Sequence, residues 1–284
     1  METRLSSATK EVIIGHDQPT TLIGERINPT GKKRMTEALK AGNLEIVREE
    51  ALAQVTAGAD VIDVNVAAAG VDEVTLLPQA VRMVMDTVDA PLCLDSPNPE
   101  ALEAALKVYD GKPLINSVTG EEHSLRKVLP LVKEYGAAVI GLVQDEAGVP
   151  KDAERRLTIA HKILSFAEAE GIPRGDVIID CLAFAVGADP SSGLVILETI
   201  QRIKAELGVN LTLGASNVSF GLPDRSLLNN AFVAMVIAAG ATCLIVDAAK
   251  VRPMVLAADL LLSHDEYARR YIGAYRKGQK LLEG

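Results

Sequence analysis

Short apolar runs of six or seven residues recur along the chain, and turn residues bound each of them. Stretches with the periodicity of amphipathic helices lie between these runs. The runs predict eight strands, at 21–27, 60–66, 91–96, 113–118, 137–143, 177–182, 211–216 and 242–248. The periodic stretches predict eight helical regions, at 44–57, 74–88, 99–109, 124–135, 153–170, 193–207, 226–239 and from 253 onward.

Strict alternation of strands and helices predicts the α/β class, and within it a single-domain (β/α)8 TIM barrel. The strand runs are continuously apolar, as expected of parallel strands that are buried on both faces. We expect residues 1–20 to form an N-terminal arm or hairpin, with 11–14 closing the bottom of a barrel that spans 21–284. A doubly wound sheet is the alternative, but no G-x-G-x-x-G motif follows the first strand.

Composition and charge narrow the set of partners. Aromatic residues make up 3% of the chain and Trp is absent, so the core must consist of Val, Ile, Leu and Ala. The net charge of -9 disfavours nucleic acid, which is bound by clustered Lys and Arg. Three cysteines lie inside apolar runs, as expected of reduced thiols in a cytoplasmic protein.

No segment of the sequence is typical of a membrane protein. The N-terminus lacks the long apolar core of a signal peptide. The most membrane-like stretch, 231–246, is interrupted by 240–242 and followed by Asp247. A buried helix followed by a strand is the better interpretation, so we expect no membrane partner.

Carboxylates and carboxamides dominate the predicted carboxyl ends of the strands, where barrel enzymes carry their active sites. No Lys and no His falls on a strand end, which disfavours a Schiff-base lysine or a histidine-bearing metal site. A magnesium site made of Asp63, Asp95 and Asp180 stays open. A phosphate-handling lyase is a further alternative. The loop NVSFGLPDR after the seventh strand is not a phosphate cradle of familiar form, although Gly221 and Arg225 are nearby. The polar strand-end residues are Glu25, Asn28, Asp63, Asn65, Asp95, Asn116, Asp180, Ser216, Asn217 and Asp247.

Such a set of acceptors and amide donors suits a flat heterocycle with an amino-pyrimidinone edge, and pterin fits that description. One carboxylate can accept two neighbouring ring N–H groups, while asparagine amides meet the ring nitrogens. The alternative for each residue is a helix N-cap. That alternative suits Ser96, Ser117 and Asn98. By contrast, Asp95, Asn116, Asp180 and Asn217 lie too far upstream to be caps, so we expect them to point into the barrel mouth.

Several motifs, in this order and spacing, resemble those of the pterin-binding methyltransferases. That group includes methyltetrahydrofolate:corrinoid protein methyltransferase and the folate module of cobalamin-dependent methionine synthase. The similar stretches are LIGERINPTG (22–31), DVIDVNVAAAG (60–70), LCLDS (92–96), LINSV (114–118), IGLVQDEAGVPKD (140–152), VIIDCL (177–182) and LGASNVSFGLPDR (213–225). The resemblance covers nearly the whole chain, and it implies a pterin-binding (β/α)8 barrel. Dihydropteroate synthase is a more distant alternative, because its basic loops for pyrophosphate are not evident.

The resemblance also implies an activity, the transfer of a methyl group between a corrinoid protein and N5 of tetrahydrofolate. It assigns Asn217 to N5 as the catalytic residue. It assigns no metal to this chain, and it implies a homodimer. The sequence carries no D-x-H-x-x-G corrinoid signature, so we expect the corrinoid (cobalamin) on a separate protein that docks at the barrel's C-terminal face. The expected pterin and folate contacts are Glu25, Asn28, Asp63, Asn65, Asp95, Asn116, Asp180, Gly214, Ser216 and Arg225. One departure is Cys181, where relatives often have proline.

Overall fold

The chain opens with a hairpin that closes one end of a barrel. This computed structural model describes residues 1–283, with side chains as far as Lys277. Strands β1 (Glu2–Ser6) and β2 (Glu11–Gly15) pair antiparallel. Leu5 and Ile14 are fully buried and pack against the inner face of the barrel strands. The backbone carbonyl of Ile14 also accepts a hydrogen bond of 3.0 Å from the amide of Asn210, at the start of a barrel strand.

Eight parallel strands form the barrel, and a bridge between Gly214 and Ile245 joins its two edges. The order around the sheet follows the order along the chain, with the last strand hydrogen-bonded to the first. The predicted (β/α)8 barrel is therefore confirmed. The strands are β3 (Thr21–Ile27), β4 (Val61–Asn65), β5 (Leu92–Asp95), β6 (Leu114–Thr119), β7 (Ala138–Leu142), β8 (Val177–Asp180), β9 (Asn210–Thr212) and β10 (Cys243–Val246).

Helices connect these strands and form the outer layer. Asn98 begins α4 by accepting a hydrogen bond from the Glu100 amide at 3.0 Å, with Pro99 in the first turn. Gly171 ends α6 at a φ of 85°, a conformation that favours glycine. The helices are α1 (Lys33–Lys40), α2 (Glu45–Thr56), α3 (Glu73–Thr87), α4 (Pro99–Leu106), α5 (Glu122–Glu134), α6 (Ala153–Glu170), α7 (Ser192–Leu207), α8 (Arg225–Ala239), α9 (Ala248–Leu261) and α10 (Arg269–Glu283).

Apolar residues on both faces of the strands explain the continuous runs in the sequence. Successive residues alternate between an inner cluster, to which Ile23 and Val61 belong, and an outer cluster under the helices, to which Leu22 and Ile62 belong. All three cysteines are buried and unpaired. In the part of the chain that the structure describes, no helix has the length and apolarity needed to cross a membrane.

The structure corrects three predicted boundaries. Helix α1 was not predicted, because residues 33–40 carry three lysines and arginines and only a narrow buried face, Met35 and Leu39. The last helical region begins at Ala248 and not at 253, because Pro253 lies inside α9 and does not mark its start. Strand β9 ends at Thr212, and residues Ala215–Ser219 form a 3-10 helix. Gly214 and Ser216 therefore lie beyond the seventh barrel strand and not along it.

Candidate functional site

A cavity of about 550 Å³ opens at the carboxyl ends of the barrel strands. Its volume lies within the range of small-molecule sites. All but three of the residues predicted for the site line it, and the three exceptions are Asn65, Asp180 and Gly214. The lining residues are Glu25, Arg26, Asn28, Thr30, Lys32, Asp63, Asp95, Asn116, Ser216, Asn217, Arg225, Ser226, Asn229, Asn230, Ile245, Asp247, Lys250 and Val251.

Strand register brings four polar side chains together at the floor of the cavity. Asn65 pairs with Asp95 across β4 and β5, and Asp95 pairs with Asn116 across β5 and β6. The Asn65 amide donates to the Asp95 carboxylate at 2.8 Å. The Asn116 amide lies 3.3 Å from the carboxylate of Asp63, one inward position deeper on β4. Asn65 therefore supports the site by holding Asp95, although it does not line the cavity itself.

Burial sets the protonation of the two floor carboxyls. Burial raises the pKa of Asp63 well above its usual range, and the neighbouring Asp95 raises it further. Burial also raises the pKa of Asp95, to about 6, while the hydrogen bond from Asn65 opposes that rise. A proton is therefore favoured on Asp63, and Asp95 is the carboxyl that ionises first.

Asp180 occupies the end of β8, behind the surface that lines the cavity. Its residue is 5% exposed, and its carboxylate accepts a hydrogen bond from the Leu182 amide at 2.7 Å. Burial raises the pKa of Asp180 to about 7, against the lowering effects of that hydrogen bond and of Arg156. The assignment of Asp180 to the pterin stays a prediction.

Three hydrogen bonds fix the 3-10 turn after β9. The Ser216 hydroxyl donates to the carboxylate of Glu25 on β3 at 2.9 Å. Arg225, the first residue of α8, donates to the Ser216 carbonyl at 2.8 Å and to the Ser219 hydroxyl at 3.0 Å. Burial raises the pKa of Glu25, and the bond from Ser216 lowers it. Glu25, Ser216 and Arg225 together hold the segment that carries Asn217.

Asn217 is exposed at the rim of the cavity. Its side-chain amide makes no hydrogen bond to any residue that the structure describes, so it is free to meet a ligand. A Cβ at position 214 would lie 3.1 Å from the Asn217 amide nitrogen. Gly214 therefore contributes space for the asparagine side chain and does not itself line the cavity.

The sequence analysis did not predict the basic residues on one side of the cavity. Lys32 donates to the Arg26 carbonyl at 2.8 Å, and Arg26 pairs with Glu50 at 3.0 Å. Lys250 lies 3.4 Å from the carboxylate of Asp247. Neither lysine lies at a strand end: Lys32 lies in a loop and Lys250 in the first turn of α9.

Two asparagines on α8 also escaped the sequence prediction. Asn229 and Asn230 line the cavity. Asn229 is four residues after Arg225 and so shares its helix face, and this spacing is the signal that could have identified it.

Among residues 1–277, whose side chains the structure describes, the histidines and carboxylates form no metal centre: no group of three or more His, Cys, Asp or Glu is arranged to hold a metal ion. His16 bonds to the Val209 carbonyl at 3.1 Å, at the opposite end of the barrel. His161 contacts Glu206 at 2.6 Å between two helices of the outer layer.

Comparison with known proteins gives relatives of two kinds. The chain is 31% identical over 266 residues to the methylcorrinoid:tetrahydrofolate methyltransferase of Eubacterium limosum, covering 91% of this chain and 97% of that protein. It is 32% identical to the methionine synthase of Mycobacterium tuberculosis, covering 89% of this chain and 22% of that longer protein.

Solved structures of dihydropteroate synthases share the fold. The Yersinia pestis enzyme with a pterine-sulfa conjugate aligns with a TM-score of 0.71 and 15% identity, over 92% of this chain and 100% of that one. The Xanthomonas albilineans enzyme aligns with a TM-score of 0.69 and 21% identity, over 94% of this chain and 100% of that one. At these identities the likeness concerns the barrel alone.

The family of pterin binding enzymes matches residues 24–247. That span contains every residue predicted for the site and the whole cavity floor. The resemblance drawn from the sequence motifs is therefore confirmed, and the chain belongs to the pterin-binding enzyme family.

Proposed function

We propose that this chain transfers a methyl group between a corrinoid protein and N5 of tetrahydrofolate. The relative from Eubacterium limosum is named for this reaction, and it matches this chain over almost its full length. The observation that carries the proposal is the free amide of Asn217 at the rim of a cavity whose floor is made of carboxyl and amide groups.

The floor of the cavity fits the pterin ring. An ionised Asp95 accepts the paired N–H groups of the amino-pyrimidinone edge, and Asn65 holds that carboxylate in place. Asn116 offers an amide to a ring nitrogen or carbonyl, and the protonated Asp63 behind it supports its orientation. Asp180, at the end of β8, is the further carboxyl we assign to the pterin.

Asn217 acts on N5. A tertiary amine is a poor leaving group, so N5 requires a proton or a hydrogen-bond donor as its bond to the methyl group breaks. An asparagine amide donates without titrating, and this side chain has no competing partner in the described structure. In the opposite direction the Asn217 carbonyl oxygen accepts from the N5–H group, which leaves the N5 lone pair free to attack the methyl group, and the N5 proton passes to solvent.

The corrinoid is proposed to arrive on a separate protein that docks at the carboxyl face of the barrel. When bound there, its cobalt accepts or supplies the methyl group. A corrin ring is too large to enter a cavity of about 550 Å³ that also holds a pterin. Asn217 is exposed at the rim, where such a partner would meet N5.

We further propose a cytoplasmic homodimer. Three buried, unpaired cysteines suit a reducing compartment. Sedimentation of the purified protein distinguishes a dimer from a monomer of 30.1 kDa.

The reaction is tested by the absorbance of methylcobalamin, used as a substitute for the methylated corrinoid protein. Purified protein with tetrahydrofolate should accelerate its demethylation, and omission of tetrahydrofolate should abolish that acceleration. Binding of tetrahydrofolate without any demethylation, also with a methylated corrinoid protein, would identify a pterin-binding module without this activity.

A further inference from the structure

A fully buried arginine lies behind the end of β8, outside the cavity. Arg156, on α6, is 1% exposed and is among the largest side chains that are completely buried. A guanidinium in such a place is strongly destabilising unless its N–H groups are paired. Arg156 forms no ion pair within salt-bridge distance among the described residues, and its hydrogen-bond partners are neutral acceptors.

The partners of Arg156 are backbone carbonyls of the loops beside it. One N–H group of its guanidinium donates to the Pro150 carbonyl at 2.9 Å. Another nitrogen donates to the carbonyls of Cys181 at 2.7 Å and Leu182 at 3.1 Å. The guanidinium carbon also lies 5.7 Å from the ring centre of Phe184. The Arg156 guanidinium thus holds the backbone of the two residues that follow β8.

That point of the chain is bent sharply. Leu182 has a φ of 52°, in the left-handed region that non-glycine residues rarely adopt. The bend directs the Leu182 amide back to the carboxylate of Asp180 at 2.7 Å. In the same bend the carbonyls of Cys181 and Leu182 accept hydrogen bonds from Arg156. The cost of the left-handed conformation is therefore offset by bonds on both sides of the turn.

We propose that Arg156 is a positioning residue, which clamps the Cys181–Leu182 turn and thereby holds the Asp180 carboxylate in place for the pterin. This inference rests on the proposed function for its ligand, but its structural part concerns the ligand-free protein. A lysine at position 156 would keep the positive charge. Its single ammonium lacks the planar guanidinium that reaches both the Pro150 carbonyl and the Cys181–Leu182 turn. The clamp therefore needs arginine in particular.

Arg156 also affects the charge of Asp180. The groups that face this carboxyl are Arg156 on α6, Cys181 on its own turn and Cys243 on β10. Both thiols are buried and their pKa values are raised, so they stay neutral, and Arg156 is the cation among these groups. Removal of that cation should raise the pKa of Asp180 above its value of about 7.

The first experiment follows the Asp180 carboxyl by ¹³C NMR in ligand-free protein, with Asp180→Asn to assign the signal. Arg156→Gln should raise the titration midpoint by about one pH unit. The control is Arg155→Gln, on the same helix, whose exposed side chain contacts Asp145 at 3.2 Å. This control should leave the midpoint unchanged. An unchanged midpoint in folded Arg156→Gln overturns the electrostatic part of the proposal, whatever the protein's substrate is.

The second experiment measures tetrahydrofolate binding by calorimetry between pH 6 and 8. Arg156→Gln loses both the clamp and the charge. With its Asp180 midpoint one unit higher, it should bind about fivefold more weakly than Arg156→Lys at pH 7 and approach the affinity of Arg156→Lys at pH 8. Arg156→Lys should bind more weakly at both pH values, since the charge remains but the clamp is lost. If Arg156→Gln does not fold, Arg156→Lys still tests the clamp.

A double-mutant cycle separates positioning from a general loss of structure. In an Asp180→Asn background, Arg156→Lys should cause little further loss of binding, because the group it positions is already absent. Full additivity of the two losses overturns the positioning role. Wild-type protein that binds no tetrahydrofolate overturns the proposed function instead, and the NMR result then still decides whether Arg156 controls the charge of Asp180.

Discussion

Replacement of Asn217 by alanine separates a role in chemistry from a role in binding. The amide nitrogen of Asn217 bonds no described residue, so the substitution removes the proposed donor to N5 and breaks no hydrogen bond among the described residues. Because the residue is exposed, the free energy of unfolding should change by less than about 0.5 kcal/mol. Any large effect must then arise from the contact with N5.

The expected loss of rate depends on whether the contact with N5 acts in the transition state. Loss of one preorganised donor that acts in the transition state lowers kcat by about 10² to 10³. Since Asn217 is at a solvent-exposed rim, we expect the lower end of that range. A neutral hydrogen bond to bound substrate contributes about 1 kcal/mol, so the Kd of tetrahydrofolate should rise only about fivefold.

The assay is single-turnover methyl transfer with saturating tetrahydrofolate, combined with calorimetric Kd values. Asn43→Ala is the control of the same residue type, far from the cavity. Asn43 accepts a hydrogen bond from the Glu45 amide at 3.0 Å where α2 begins, and its loss should cost about 1 kcal/mol of stability with no change in the transfer rate. Equal losses of rate and affinity in Asn217→Ala, or no loss of rate, would refute the assignment to N5.

Three further predictions concern the 3-10 turn at Ser216 and the floor of the cavity. Gly214→Ala places a Cβ 3.1 Å from the Asn217 amide and should lower the methyl-transfer rate about tenfold with little change in Kd. Ser216→Ala removes the hydroxyl that joins the turn to β3 and should lower kcat/KM by about fivefold in a steady-state assay. Burial raises the pKa of Asp95 to about 6 and of Asp180 to about 7. The raised pKa values therefore stabilise the ligand-free protein fully below about pH 4, and this stabilisation is lost as the pH rises through 7. The Tm should fall over that range. Tetrahydrofolate affinity should instead increase over pH 6 to 7, as the acceptor carboxylates ionise.

The Gly214→Ala prediction and the pH prediction each have a control. Gly193→Ala, in α7, adds a Cβ with only a 3.6 Å contact to Val186 and should leave the transfer rate unchanged. Asp180→Asn should flatten the fall of Tm with pH, and an unaltered slope would contradict the assignment of a raised pKa to Asp180. A Gly214→Ala protein with wild-type rate would show that the space beside Asn217 is not needed.

The sequence predicted the barrel because parallel strands buried on both faces must be continuously apolar, and the predicted range for β3 agrees with the structure to the residue. It also located Asp95 and Asn116, since strand ends in a parallel sheet meet at one edge and register then sets them side by side.

What the sequence did not predict depends on tertiary contacts. Arg156 has the spacing of an ordinary helix residue, and only the bent turn after β8 explains why it is buried. The 3-10 turn at Ser216 was predicted as strand because its apolar neighbours continue the pattern, while its conformation depends on bonds to Glu25 and Arg225.

The central claim is tested most directly by following the methyl carbon itself. Purified protein is mixed with ¹³C-methyl-labelled methylated corrinoid protein and tetrahydrofolate, and the products are observed by ¹³C NMR. The account predicts that the label leaves cobalt and appears on N5 of tetrahydrofolate, at a rate that falls about 100-fold with Asn217→Ala. A label that stays on the corrinoid, or that appears on folate equally fast without the protein, would contradict it.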